Sequence, residues 1–161
     1  MSLFIGTLRV LGMAFAAILF LTRGLWASPS LCLAAHPAGG RLASYDLPPG
    51  DGFDLTFIHS VSRTPVRDSY VLRDGAILQT AEIFEAHGAG LPSLSNEVGA
   101  TGWRHENGHF ILEMERPIGT MIVRVQPAYD NALRIGDRTI PLASLGQKAL
   151  RISACEEQDN E

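Results

Sequence analysis

After residue 27 the chain shows no sustained helical period. Short apolar or alternating runs are instead separated by turn-forming clusters: Ala38-Gly-Gly40, Pro48-Pro-Gly-Asp-Gly52, Arg73-Asp-Gly75, Asn107-Gly108 and Ile135-Gly-Asp137. Regular short strands between Gly- and Asp-rich turns predict an all-β fold, an antiparallel β-sandwich or small barrel. Strands are expected near 30–35, 41–46, 53–61, 66–73, 76–85, 109–115, 120–126, 132–136 and 148–154, with residues 88–102 as a long irregular connection.

The first 27 residues break this pattern. Met1 to Leu21 is apolar apart from Arg9, with a short hydrophobic core at Val10–Leu21 and the small residue Ala27 placed for a cut. This resembles a secretory signal peptide. Arg23 and the bulky Leu25 make the cleavage site imperfect, so an uncleaved anchor in the inner membrane is the alternative. The apolar run is short against the roughly 20 residues of a spanning helix. The expected organisation is a signal peptide or anchor at 1–27, a single β domain at 28–155 and an acidic tail at 156–161, in a periplasmic protein.

Charge narrows the choice of partner. Removing residues 1–27 takes away Arg9 and Arg23, so Lys plus Arg falls from 13 to 11 against 17 Asp plus Glu. No basic residues cluster, which argues against a nucleic-acid partner. Cys32 and Cys155 lie at the two ends of the β domain. In an exported domain they are candidates for a disulfide between paired first and last strands; two separate buried thiols are the alternative.

Two stretches hold candidate chemistry. Residues 104–110, Arg-His-Glu-Asn-Gly-His-Phe, contain the zinc-protease pattern His-Glu-x-x-His. That pattern needs a helix, so that both histidines face one ion. Asn107-Gly108 is instead the preferred loop of a two-residue type I′ hairpin. It would pair Glu106 with His109 and His105 with Phe110, turning the two histidines to opposite faces. No metal site, cofactor or catalytic group is expected there. His36 and His87 read as solvent-exposed, with a His59–His87 metal site a remote alternative, and Trp103 as a core or rim anchor.

The second stretch is Phe53-Asp-Leu-Thr-Phe-Ile-His-Ser-Val61, followed by Val66-Arg-Asp-Ser-Tyr-Val-Leu72. Alternation puts Phe53, Leu55, Phe57, His59 and Val61 on one face, and Val66, Asp68, Tyr70 and Leu72 on one face of the next strand. A four-residue loop at 62–65 would pair His59 with Asp68, Phe57 with Tyr70 and Leu55 with Leu72, matching each pair in character. A buried His–Asp pair could be structural, or it could contact a ligand or partner near the Gly88–Pro92 loop, whose N–H groups could meet an anion. Ser60 falls on the opposite face from His59, which argues against a serine hydrolase.

Through Phe57-Ile-His-Ser-Val61, Thr64-Pro-Val66, an acid two residues later, Tyr70, and Phe84-x-x-x-Gly88-Ala-Gly-Leu-Pro92, the chain resembles the bacterial domain of unknown function 1850 family. The likeness extends loosely through Val125-x-Pro127 and Leu133-x-Ile-Gly136 to the last strand. The chain departs at Asp68, where the family usually has Glu, and at His87, where an aromatic residue is commoner. The resemblance implies a small exported protein, often encoded beside the membrane subunit and TAXI-type solute-binding protein of a TRAP transporter for organic acids. It marks His59, Ser60, Thr64, Pro65, Asp68, Tyr70, Gly88, Gly90 and Pro92 as partner- or ligand-binding positions. The expected role is a transport accessory acting by protein–protein contact. A small-anion binding module using His59, Asp68 and the Gly88–Pro92 loop is the alternative, and a metal-dependent or hydrolytic enzyme is disfavoured.

Overall fold

The computed structural model describes residues 29–50, 52–92 and 96–155. The proposed signal or anchor segment and the acidic tail lie outside the described residues. Strand alternation and Gly-rich turns produce eleven described strands: β1 (Ser30–Ala35), β2 (Arg41–Asp46), β3 (Gly52–Ile58), β4 (Pro65–Arg73), β5 (Ala76–Phe84), β6 (Ala100–Glu106), β7 (His109–Gly119), β8 (Met121–Arg124), β9 (Ala132–Ile135), β10 (Arg138–Pro141) and β11 (Ala149–Ala154). Short 3-10 turns follow β8 and β10, at Pro127–Tyr129 and Leu142–Leu145.

The strands form two sheets, ordered β2-β1-β11-β8 and β10-β9-β3-β4-β5-β7-β6. Every pairing among them is antiparallel. The fold is an all-β sandwich. β6 and β10 had no counterpart among the expected strands. β10 is only four residues long, and three of them are exposed, so it lacks the alternation that marks a half-buried strand. β6 takes up residues first read as the end of the irregular connection.

The apolar faces meet unevenly. Leu31, Leu33, Met121, Val123, Leu150 and Ile152 of the small sheet share one core with Phe53, Leu55, Tyr70, Leu72, Ile77, Leu133 and Ile135 of the large one. The far wing, β5-β7-β6, holds a separate aromatic group. Phe84 stacks on Phe110 at 5.4 Å, Trp103 lies 6.1 Å from Phe84, and His87 packs on Phe110 at 4.2 Å. Trp103 is thus an anchor of this group.

The first and last strands pair, with Cys32 opposite Ser153. Cys155, just past β11, closes a disulfide to Cys32 with Cα atoms 4.9 Å apart. A cross-link over a separation of 123 residues stabilises the fold by about 4–5 kcal/mol in the chain-entropy picture. Such a bond belongs to an oxidising, exported setting. Among the described residues, no helix is long and apolar enough to cross a membrane.

Candidate functional site

Within its strands the β3–β4 hairpin keeps the expected faces, but Val61, expected on the inner face, falls in the loop beyond Ile58 and is exposed, and the register is not the expected one. Phe53 pairs with Tyr70, Leu55 with Asp68 and Phe57 with Val66. Asp68 therefore lies opposite Leu55, four residues along β3 from His59. The reason is the loop, which spans 59–64 rather than 62–65. β3 stops at Ile58 because the His59 side chain turns back to organise the residues that follow it.

His59 is buried, at 7 % exposure. Its Nδ1 accepts from the backbone N–H groups of Val61 (3.3 Å) and Ser62 (3.1 Å) and from the Ser62 hydroxyl (3.0 Å). Its backbone N–H donates to the Thr64 carbonyl (2.9 Å), and its own carbonyl accepts from Arg63 N–H (3.0 Å). Arg63 takes a left-handed φ of 58° to close this turn. With Nδ1 accepting, the proton sits on Nε2, which donates to the Ala89 carbonyl at 3.2 Å. The histidine is thus a neutral ring joining two loops, with both nitrogens used.

Gly88 explains how the second loop comes so close. A Cβ at Gly88 would lie 2.6 Å from His59 Cε1, closer than a Cβ can approach, and a tight 3.0 Å from Nδ1. Two residues on, Gly90 takes φ +89°, a conformation that favours glycine. The His-Ser-Val and Gly-Ala-Gly-Leu-Pro stretches are therefore the two halves of one latch. The loop offers the ring a carbonyl rather than the N–H groups anticipated for an anion.

Of the other marked positions, Ser60 and Pro65 are exposed. Thr64 Oγ1 lies 2.9 Å from Ser62 Oγ, and the Pro92 carbonyl accepts from His87 Nδ1 at 3.3 Å. Ser62 is a latch member that the sequence reading passed over. It lies three residues after the histidine in a loop, where alternation no longer says which way a side chain points.

Asp68 belongs to a different group. It sits opposite Glu82 of β5 as well as Leu55 of β3. A bulge at the Ser69/Tyr70 step resets the alternation of β5, so that Gln79 and Glu82 both face inward and are buried. Arg116 of β7 donates to Gln79 Oε1 from Nη2 (2.6 Å) and Nε (3.1 Å). The Tyr70 hydroxyl donates to Asp68 Oδ2 over a long 3.4 Å. Asp68 Oδ1 is buried without a hydrogen-bond partner. Burial pushes the Asp68 carboxyl up to about 6, against the lowering effects of Tyr70 and Arg116. Burial and the neighbouring Asp68 push Glu82 up to about 7, and burial with Asp68 also raises the Tyr70 hydroxyl. Gln79, Glu82 and Arg116 escaped the sequence reading because a bulge leaves no mark in a simple alternation.

The hairpin at 104–110 behaves as its Asn-Gly foretells. Asn107 and Gly108 take φ 52° and 80°, Glu106 pairs with His109, and His105 pairs with Phe110. His105 stacks on Phe110 at 4.5 Å, while His109 Nε2 lies 3.5 Å from Glu85 on the opposite face. Glu106 is held by Arg104 at 2.8 Å. Among the described residues, no group of three or more His, Cys, Asp or Glu side chains could hold a metal ion.

The family model described as "domain of unknown function (DUF1850)" matches residues 53–142, more than half of the chain. The chain belongs to the DUF1850 family. No curated protein and no solved structure matches it.

Proposed function

We propose that this DUF1850 protein is an exported, non-catalytic accessory of a TAXI-type TRAP transporter for organic acids, acting by contact with the membrane subunit or the solute-binding protein. One observation supports it above the rest: the two motif stretches converge at one end of the sandwich, and both nitrogens of their buried histidine are spent on holding them together. A ring so engaged has no free lone pair for general-base work. What it supports is a rigid tip, with Val61 67 % exposed and Pro65 exposed as well. An exposed valine on an ordered loop suits a protein contact. The disulfide fits residence in the periplasm.

The test is co-purification of the tagged full chain with the two transporter components from native membranes in mild detergent. Wild type should retain one of them. Val61→Asp should lose it while keeping the same melting temperature. A clean monomer in mild detergent, or retention unchanged by Val61→Asp, counts decisively against the reading.

The small-anion module built on His59, Asp68 and the Gly88–Pro92 loop has weaker support. Nε2 of His59 already faces the Ala89 carbonyl, and Asp68 faces Glu82.

A further inference from the structure

The solvent face of the large sheet carries an unexpected apolar row. On a face covered by no second sheet, outward positions are ordinarily polar. Here Ile83 of β5 pairs with Ile111 of β7, and Ile58 at the end of β3 lines the same groove. All three are only half-buried. Arg67, directly opposite Thr56 and Ile83, and Arg134, on β9 across β3, rise beside this floor. The groove encloses about 580 Å³, within the range of roughly 300–1,000 Å³ usual for small-molecule sites.

Neither guanidinium has a hydrogen bond or ion pair among the described residues. The nearby acids are mostly committed elsewhere. Glu106 at the rim is bonded to Arg104 at 2.8 Å, and Asp54, opposite Arg134, accepts from Ser69 at 2.8 Å. Asp130 is the remaining rim acid. Two uncommitted guanidiniums over a hydrocarbon floor, with Asp130 the one rim carboxylate that has no ion pair of its own, suit a ligand with one carboxylate and an apolar body. Asp130 disfavours a polyanion.

We propose that this groove binds a small monocarboxylate, its carboxylate between Arg67 and Arg134 and its hydrocarbon body on Ile58, Ile83 and Ile111. The site is separate from the His59 latch and requires no transporter, so it stands or falls independently of the accessory role.

Methyl-detected NMR titration of the isoleucine-labelled full chain tests it, with hexanoate, the neutral isostere hexanamide, and citrate as probes. Hexanoate should give saturable shifts concentrated at the three groove isoleucines. Hexanamide should bind about tenfold more weakly, because a charge-assisted contact is lost. Arg67→Gln and Arg134→Gln, both at exposed positions, should each weaken hexanoate to a similar degree without moving the melting temperature. Hexanamide or citrate binding as well as hexanoate, non-saturating shifts, or arginine variants that bind like wild type would each overturn the proposal.

Discussion

Two polar centres are buried in the sandwich, and the protein treats them in opposite ways. At the loop end, His59 meets a partner at both ring nitrogens and rests against a glycine cut to its shape. Further along the sheet, Asp68 and Glu82 face each other across β4 and β5. One Asp68 oxygen is orphaned, and Glu82 has no hydrogen bond or ion pair among the described residues. A buried polar group that is fully bonded costs little and specifies geometry. One left unbonded costs free energy that a bound proton relieves. The first centre is a fastening between loops; the second is a standing strain on the charged state.

The largest expected effect comes from breaking the fastening. His59→Ala should destabilise the fold by about 4 kcal/mol, since it leaves a cavity and strands the Val61 and Ser62 N–H groups. Denaturant unfolding measures it; a loss below about 1 kcal/mol, the size of one ordinary hydrogen bond, would show that the ring holds nothing together.

Gly88→Ala attacks the same joint from the other side. With a methyl driven against the ring, about 2–3 kcal/mol should be lost. The double variant with His59→Ala should recover much of that loss, because the clash goes with the ring. Additive losses in this cycle would separate the two loops that the latch is said to join.

A smaller effect should come from the carboxyl pair, and it has the opposite relation to charge. Both groups titrate above their ordinary values in the folded state, at about 6 and about 7 against 3.8 and 4.5. The folded protein therefore keeps protons that the unfolded chain has released. The stabilisation is complete below the ordinary values and is lost as pH rises through about 6 to 7. Wild type should therefore lose stability progressively between pH 4 and pH 7 from this source. Glu82→Gln should flatten that slope and gain about 1 kcal/mol at neutral pH, since a neutral amide escapes the desolvation of a charge. The difference between the two pH profiles isolates the pair from other titrating groups. An identical slope in the variant would remove Glu82 from the account.

Much of this contrast was legible in the residues. Alternation correctly placed Phe53, Leu55 and His59 on the inner side with Val66, Asp68 and Tyr70. Asn107-Gly108 foretold the hairpin and the divergence of its histidines, because a turn type depends on local backbone preference. The pairing of His59 with Asp68 failed for a specific reason. Matched side-chain character suits several registers of the same parity, and the loop chooses among them. A histidine that hydrogen-bonds its own loop lengthens that loop, and the register moves by four residues.

The sequence by itself determined the class of fold, the faces of the strands, the tip at Asn107-Gly108 and the pair of motifs that mark the family. These follow from periodicity and from φ/ψ preferences, which act over a few residues. Only the tertiary structure decided that the two motifs form one latch, that Asp68 answers to Glu82, and that Arg67 and Arg134 flank one groove. Those relations depend on a loop length, a bulge and the order of strands in a sheet. Each joins residues far apart in the chain, where local preference has no reach.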